Sequence, residues 1–300
     1  MADDYQQLQN EIDAALLESA SFAWRISPSA CFRDPETGAS CAYYHRIWQY
    51  LLVLGATSSM RTDTKFLADN TRRAFRTNSN ARVLICGAAD YGLLAHVLWS
   101  AKLESAAPSV VVVDRCRTSL ELNQWYASRM SQEITVVESD ILDANEIGEF
   151  DVVCTHSFLG WFSPAERARL IDVWRRALKP DGVVITTKRL RAIPAGETYQ
   201  KFDEEEAVSF SEHVRSLASE KREVIGDIDP SVLALAALEY ARGHQRHPMQ
   251  DEEELVSLFD DGGLEIVALD DGHPWQGQDR PSGPRKGMGQ RLRIVARRCA

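Results

Sequence analysis

A short apolar segment that ends in a glycine constrains the fold of this chain more than any other feature. Residues Arg82–Gly87 form that segment, and a second glycine follows at Gly92. A helix-like stretch, Leu93–Leu103, leads to a second apolar segment, Val111–Asp114, which ends in a carboxylate. This order is typical of a nucleoside site, because glycine lets the backbone approach a ligand and the carboxylate accepts hydrogen bonds from ribose hydroxyls. An ordinary strand-to-helix turn that binds nothing has the same order, so that alternative stays open.

The turn between the two glycines departs from the G-x-G-x-x-G pattern of dinucleotide enzymes. Ala88 and Ala89 stand where glycines would lie against a pyrophosphate. Asp90 adds a negative charge where a phosphate would lie. The turn therefore favours a cationic or phosphate-free nucleoside over NAD, which disfavours a nicotinamide dehydrogenase.

The charge balance limits the partners of the chain. Its 300 residues carry a formal net charge of −10. The fractions of hydrophobic residues (44%) and charged residues (26%) are ordinary for a soluble globular protein. An acidic protein gains nothing from neutralising phosphates, so we expect neither a nucleic acid nor a membrane as partner. The N-terminus lacks a signal-peptide core, and no run approaches the ~18 apolar residues of a membrane span, so a cytoplasmic location is predicted. The oligomeric state is left open, with a homodimer among the options.

The six cysteines are scattered and form no C-x-x-C pair. Cys86 and Cys154 lie in apolar runs, where cysteine acts as a small hydrophobe. The sequence shows no cluster of histidine and cysteine, so no metal site is predicted. Free thiols agree with a reducing cytoplasm.

The middle of the chain alternates between strands and helices. Five short apolar runs predict strands of a parallel sheet that is covered on both faces: 82–86, 110–113, 134–138, 150–155 and 182–187. Two more strands are predicted at 264–269 and 291–298. Residues 1–80 are predicted to be helical, and two helices within 191–249 interrupt the alternation.

The order and spacing of these motifs resemble the class I S-adenosylmethionine-dependent methyltransferases. The segments similar to that family's motifs are 83–92, Asp114, 139–141, 150–160 and 178–185. The resemblance covers about residues 80–190 and 251–300. It implies an α/β, Rossmann-like fold with a seven-stranded, mostly parallel sheet and an antiparallel last strand. A helical N-terminal cap (1–80) would precede the core (81–300), with a helical insertion at about 191–249 before the sixth strand.

The resemblance also implies S-adenosylmethionine as cofactor. The residues that match the cofactor-binding motifs are Gly87, Ala88, Asp90, Gly92, Asp114, Arg115, Asp140, Ile141, His156 and Ser157. The fourth motif departs from the family pattern, because Thr155, His156 and Ser157 replace an Asn/Asp-Pro-Pro-Tyr run. That run grips a planar amide or amino group, so its absence argues against methylation of DNA bases or glutamine amides.

His156 and Tyr44 are the predicted catalytic residues. His156 directly follows the fourth strand, at the edge where open α/β sheets bind ligands, and imidazole titrates near neutral pH. Tyr44 shares a helix face with Trp48, and aromatic faces attract a sulfonium. Packing alone would also explain Tyr44 and Trp48, and a structural or cofactor-contacting role would explain His156. The predicted substrate-contacting residues are Tyr43, His45, Trp48, Trp161 and Trp275.

The sequence therefore predicts a methyltransferase that acts on a small molecule, at an oxygen, nitrogen or carbon atom. Two alternatives remain. One is an enzyme that uses the same cofactor without methyl transfer, by a cyclisation or elimination that releases methylthioadenosine, since fold does not fix reaction. The other is a nonenzymatic scaffold protein that kept the nucleoside site.

Overall fold

A computed structural model describes residues 2–57, 59–144, 147–191, 197–272, 283–284 and 288–299. The strands are β1 (Arg82–Cys86), β2 (Ser109–Asp114), β3 (Thr135–Glu138), β4 (Phe150–Cys154), β5 (Leu178–Arg191), β6 (Gln200–Lys201), β7 (Gln245–Arg246), β8 (Leu264–Asp270) and β9 (Met288–Arg298). The helices are α1 (Ala2–Ala30), α2 (Ala42–Leu54), α3 (Thr64–Thr77), α4 (Gly92–Leu103), α5 (Arg117–Arg129), α6 (Pro164–Ala177), α7 (Glu204–Glu220), α8 (Arg222–Ile225), α9 (Pro230–Gly243) and α10 (Glu252–Asp261). Within these ranges, no helix is long and apolar enough to cross a membrane.

Seven of the strands form one sheet in the order β3-β2-β1-β4-β5-β9-β8. Strands β1 to β5 pair in parallel, whereas β9 runs antiparallel to both of its neighbours. The predicted fold class is therefore confirmed, including the antiparallel last strand. The fifth strand is longer than the predicted 182–187, because β9 pairs along it as far as Arg191.

The side chains of β1 show why the parallel strands are apolar throughout. Leu84 and Cys86 are buried on one face of the sheet with residues of α6 and α10. Val83 and Ile85 are buried on the other face with Leu94 of α4 and residues of α5. Because helices cover both faces, every position of such a strand is buried, and each large aliphatic side chain contributes about 1.5–3 kcal/mol to the stability.

A third apolar core joins the first helices to those between β5 and β8. Ile47 and Leu51 of α2 pack with Val214 of α7 and with Leu233 and Tyr240 of α9. Helix α1 packs along α2. The short strands β6 and β7 pair with each other beside these helices. The helical segments from the two parts of the chain therefore share one hydrophobic interior.

Two capping-box patterns in the sequence, Thr118-Ser-Leu-Glu121 and Ser163-Pro-Ala-Glu166, predict helix starts, and one of these predictions is wrong. At α6, Ser163 accepts a hydrogen bond from the amide of Glu166, whose side chain accepts from the Ser163 amide, as predicted. Helix α5 instead begins at Arg117, with Cys116 at its N-cap. Thr118, the predicted N-cap, is buried, and its hydroxyl lies 3.2 Å from the sulfur of Cys31.

Candidate functional site

The carboxyl ends of β1, β2, β4 and β5 meet at one edge of the sheet, where two cavities adjoin. The first, which we call the Asp114 cavity, is lined by residues that include Phe32, Ser40, Gly87, Asp114, Arg115, Asp140, Ile141 and Phe158. The second, the His156 cavity, is lined by residues that include Trp48, Ala88, Asp90, His156, Ser157, Lys188, Arg191 and Arg246. Tyr44, Gly87, Ala89 and Trp161 line both cavities, so these four residues mark their junction.

The predicted cofactor residues divide between the two cavities. Those in the Asp114 cavity are Gly87, Asp114, Arg115, Asp140 and Ile141. Those in the His156 cavity are Gly87, Ala88, Asp90, His156 and Ser157. Gly92 lines neither cavity; it begins α4, and its amide donates a hydrogen bond to Oδ1 of Asp90 at 2.7 Å.

Gly87 needs to be glycine for two reasons. Its φ of +66° lies in the left-handed region, which side chains rarely adopt. A Cβ atom at this position would also overlap the ring of Phe158. The tight turn after β1 therefore depends on this glycine.

Asp114 ends β2, and few hydrogen-bond donors among the described residues surround its carboxyl group. Oδ1 accepts a hydrogen bond from the amide of Cys116 at 2.8 Å. Burial raises the pKa of Asp114 to about 7. A carboxyl group in this condition has lost hydration that its protein neighbours do not replace. The vicinal hydroxyls of a ribose are donors of the kind that would replace it.

Both carboxylate oxygens of Asp90 accept hydrogen bonds from the protein. Its Oδ2 accepts a hydrogen bond from the indole Nε1 of Trp48 at 2.7 Å, and its Oδ1 accepts from the amide of Gly92. The side chain is buried. Its carboxylate thus caps the start of α4 and anchors α2 to the turn after β1.

His156 is the second residue after β4 and is oriented by a buried carboxylate. Its Nε2 lies 2.8 Å from Oδ2 of Asp63, at the end of a 3₁₀ turn. Asp63 is 0% exposed and also accepts hydrogen bonds from Arg291 and Arg293 of β9. Burial alone would raise the pKa of Asp63, but Arg291, His156 and Arg293 hold it well below its usual range.

The contact with Asp63 fixes the tautomer of His156. An ionised carboxylate only accepts hydrogen bonds, so Nε2 carries the ring proton and Nδ1 has the free lone pair. Burial lowers the pKa of His156, although Asp63 opposes this effect. The ring is therefore neutral near pH 7 and can accept a proton at Nδ1.

Aromatic side chains surround the junction of the cavities. The rings of Tyr44 and Trp48 stack with their centroids 5.1 Å apart, and Trp161 meets Tyr44 edge-on at 5.6 Å. Tyr43 and His45, which were predicted to contact substrate, line the Asp114 cavity and not the His156 cavity. Trp275 lies outside the described residues.

Three cations line the His156 cavity and have no carboxylate partner among the described residues. Lys188 and Arg246 are buried and Arg191 is half-buried. Their hydrogen bonds go to neutral oxygens, two of the backbone and one of the Gln200 side chain. The guanidinium of Arg246 lies 3.0 Å from the ring centroid of Trp161. Burial, with the charges of other cations, lowers the pKa of Lys188 well below its usual range.

Residues 92–182 match the sequence model of a family described as "Methyltransferase domain". The matched segment is similar to a methyltransferase domain. This match confirms the resemblance to the S-adenosylmethionine-dependent methyltransferases. The sequence matches no curated protein.

Solved structures of methyltransferases are similar to this chain in fold. An S-adenosylmethionine-dependent methyltransferase from Clostridium acetobutylicum is 11% identical over 83% of this chain and 96% of its own, with a TM-score of 0.50. Two others were solved with S-adenosylhomocysteine. The 1,6-didemethyltoxoflavin-N1-methyltransferase of Burkholderia thailandensis is 15% identical over 80% of each chain, with a TM-score of 0.49. The magnesium protoporphyrin IX methyltransferase of Synechocystis is 9% identical over 97% of this chain and 99% of its own, with a TM-score of 0.48.

Reasoning from the sequence missed the charged residues of the His156 cavity and its surroundings. The run Lys188-Arg189-Leu190-Arg191 was an available signal, because charges are costly on a strand that is covered on both faces. Asp63 carried no such signal, since an acid at the start of a helix is usually solvated.

The sequence shows no cluster of histidine and cysteine, but the fold brings three cysteines together. Cys31, Cys41 and Cys116 come together, with their sulfur atoms within 4.8 Å of one another. Their positions in the sequence concealed this, because Cys41 and Cys116 are 75 residues apart. The spacing rules for metal sites detect only ligands that are close along the chain.

Proposed function

We propose that this protein is an S-adenosylmethionine-dependent methyltransferase that acts on a small molecule with a negative charge. One observation carries the proposal: two cavities adjoin at one edge of the sheet. The first lies at the end of a strand whose last residue is an acid, and the second holds an oriented histidine. Open α/β sheets bind their ligands at this edge. The methyltransferase domain within residues 92–182 gives independent support.

The residues of the Asp114 cavity fit the cofactor. Gly87 provides a bare backbone turn, and the under-hydrated carboxyl group of Asp114 suits ribose hydroxyls. Asp140 and Ile141 would contact the adenine ring. When bound, the cofactor supplies a methyl group on a positively charged sulfur atom.

The residues at the junction would position the acceptor and exclude water. Holding two reactants in line lowers the barrier by about 7–11 kcal/mol, so positioning is the main requirement. Tyr44, Trp48 and Trp161 form an aromatic wall there, and such faces attract a positive sulfur. His156 would take a proton at Nδ1 from an acceptor that does not lose it freely.

The cations of the His156 cavity support a substrate with a negative charge. A buried charge without a partner is costly, and an anionic ligand would offset that cost. Lys188, Arg191 and Arg246 would also repel a cationic substrate. A carboxylate or phosphate group on the substrate would therefore bind at the end of β5.

Thermal unfolding with single ligands tests the cofactor. S-adenosylmethionine and S-adenosylhomocysteine at about 100 times Kd should stabilise the protein by ~2.7 kcal/mol, and NAD should not. Asp114→Ala should abolish the shift, whereas the exposed control Asp143→Ala should keep it. The absence of any shift with wild-type protein would remove the proposal.

Product analysis separates the proposed reaction from its alternatives. Incubation with a panel of carboxylates and phosphate esters should yield S-adenosylhomocysteine together with a methylated product. Methylthioadenosine would instead indicate cyclisation or elimination, and binding without turnover on any panel would indicate a scaffold. Once a substrate is found, Arg191→Gln should raise its KM about 10-fold or more, because a hydrogen bond to a charged group is lost. The exposed control Arg169→Gln should leave KM unchanged.

A further inference from the structure

Three cysteines from distant parts of the chain meet beside the Asp114 cavity. Cys31 directly follows α1, Cys41 is the N-cap of α2, and Cys116 is the N-cap of α5. The sulfur of Cys116 lies 3.4 Å from that of Cys41 and 3.7 Å from that of Cys31. None of the three is in a disulfide.

These separations match the edges of a metal-centred tetrahedron. Zinc binds thiolate sulfur at about 2.3 Å in tetrahedral geometry, which places two sulfur ligands about 3.8 Å apart. The three sulfur atoms therefore surround a point that a zinc ion would occupy with little movement of the protein. Packing of apolar side chains does not require three thiols to converge in this way.

His45 would be the fourth ligand, although its ring must move to reach the ion, because neither ring nitrogen lies within 4.8 Å of all three sulfur atoms. It stands four residues after Cys41, so one turn of α2 brings both side chains onto the same face. The ring is buried. Its Nδ1 atom is also buried and has no hydrogen-bond partner among the described residues.

The local backbone favours thiolates at two of these positions. Cys41 and Cys116 each lie at the N-terminus of a helix, where the helix dipole stabilises a negative charge. Neither side chain caps its helix by a hydrogen bond to an amide. Both sulfur atoms are therefore available to a metal ion.

We propose that Cys31, Cys41, Cys116 and His45 bind one zinc ion. Thiolate and imidazole ligands in a tetrahedron are the preference of zinc, and a set of four protein ligands is typical of a structural site. The ion would join the ends of α1, α2 and α5. It would also close the base of the hairpin between Cys31 and Cys41, in which the amide of Asp34 donates to the carbonyl of Ala39 at 2.8 Å.

This site has a direct consequence for the neighbouring cavity. Phe32, Asp34 and Ser40 of the hairpin line the Asp114 cavity, and Cys116 is two residues after Asp114. Zinc would therefore fix one wall of that cavity. The metal site itself does not depend on the proposed methyltransferase activity.

The test is the metal content of the full-length protein, purified in reductant without chelators. Elemental analysis and native mass spectrometry should find one zinc per chain. Removal by a chelator should lower the Tm, and added Zn²⁺ should restore it. In the apo protein, Co²⁺ should give the absorption of a tetrahedral thiolate complex.

Cysteine variants locate the ion. Cys41→Ser and Cys116→Ser should lose most of the zinc, and His45→Ala should bind it more weakly. Cys299→Ser controls for an exposed thiol, and Cys154→Ala controls for a buried thiol outside the cluster; both should keep one zinc per chain.

Two results with the wild-type protein would overturn the proposal, so the test does not depend on whether the variants fold. The first is wild-type protein that contains no zinc after growth with added zinc and takes up neither Zn²⁺ nor Co²⁺ after reduction. The second is a disulfide between Cys41 and Cys116 in freshly isolated protein, since the cluster would then be a redox pair. Failure of S-adenosylmethionine binding with zinc present would count only against the proposed function.

Discussion

Asp63→Asn removes one negative charge from a completely buried position. Oδ1 of Asp63 lies 2.9 Å from Nε of Arg293, and Oδ2 lies 2.8 Å from Nε2 of His156 and also pairs with Arg291. Asparagine keeps the shape but removes the charge that both guanidinium groups share. Loss of one partner from a buried ion pair costs about 3–5 kcal/mol. We therefore expect the free energy of unfolding to fall by about that amount at pH 7.

Urea unfolding at several pH values measures this loss and its cause. The folded pKa of Asp63 lies below its unfolded value of about 3.9, so its stabilisation is present above that pH and disappears as the pH falls through the folded pKa. The difference between wild type and Asp63→Asn should therefore shrink below about pH 4.

A matched control separates burial from charge alone. Glu265→Gln breaks a surface pair with Arg297, whose side chains are 53% and 47% exposed, and should cost less than about 1 kcal/mol. If Asp63→Asn costs no more than this control, or if its effect does not change on acidification, then Asp63 is not the buried anion that we describe.

Three further predictions concern the site. His156→Gln should lower kcat by about 10²–10⁴-fold while the Kd of S-adenosylmethionine stays constant. The wild-type rate should fall only below about pH 6.5, because burial lowers the pKa of His156. An unchanged kcat would exclude His156 as a base. Trp48→Phe removes the hydrogen bond to buried Asp90 and should cost about 1–3 kcal/mol in urea unfolding, and a neutral result would show that Asp90 is hydrated. Gly87→Ala should lower both the Tm and the affinity for S-adenosylhomocysteine in a thermal shift assay, because its Cβ overlaps Phe158; full affinity would contradict the tight turn.

The sequence predicted the sheet well because parallel strands leave a strong local signal. Val83–Cys86 is apolar at every position, since helices cover both faces, and Gly87 marks the end of the strand. The seven-stranded sheet and its antiparallel last strand came from the family resemblance, whereas the order of the strands was not predicted. Local signals also explain the capping box at Ser163, which is complete within four residues.

The rest of the site depends on contacts between distant residues. Asp63 and Arg291 are 228 residues apart, and neither is unusual in its own segment. Cys31, Cys41 and Cys116 converge because α1, α2 and α5 end or begin at the same place, which only the fold determines. The local pattern at Thr118 predicts an N-cap, yet in the folded chain its hydroxyl lies beside Cys31.

The place of β9 within the sheet affects how the protein is made. Although β9 follows β8 in the chain, it lies between β5 and β8. On the ribosome, β5 is therefore an unpaired edge until residues 288–298 emerge, and exposed edges invite pairing with other chains. The same strand brings Arg291 and Arg293 to Asp63. The polar network behind His156 is thus completed only after the rest of the sheet has been synthesised. In a nascent chain, the glycine turn after β1 is synthesised long before the residues that complete this network.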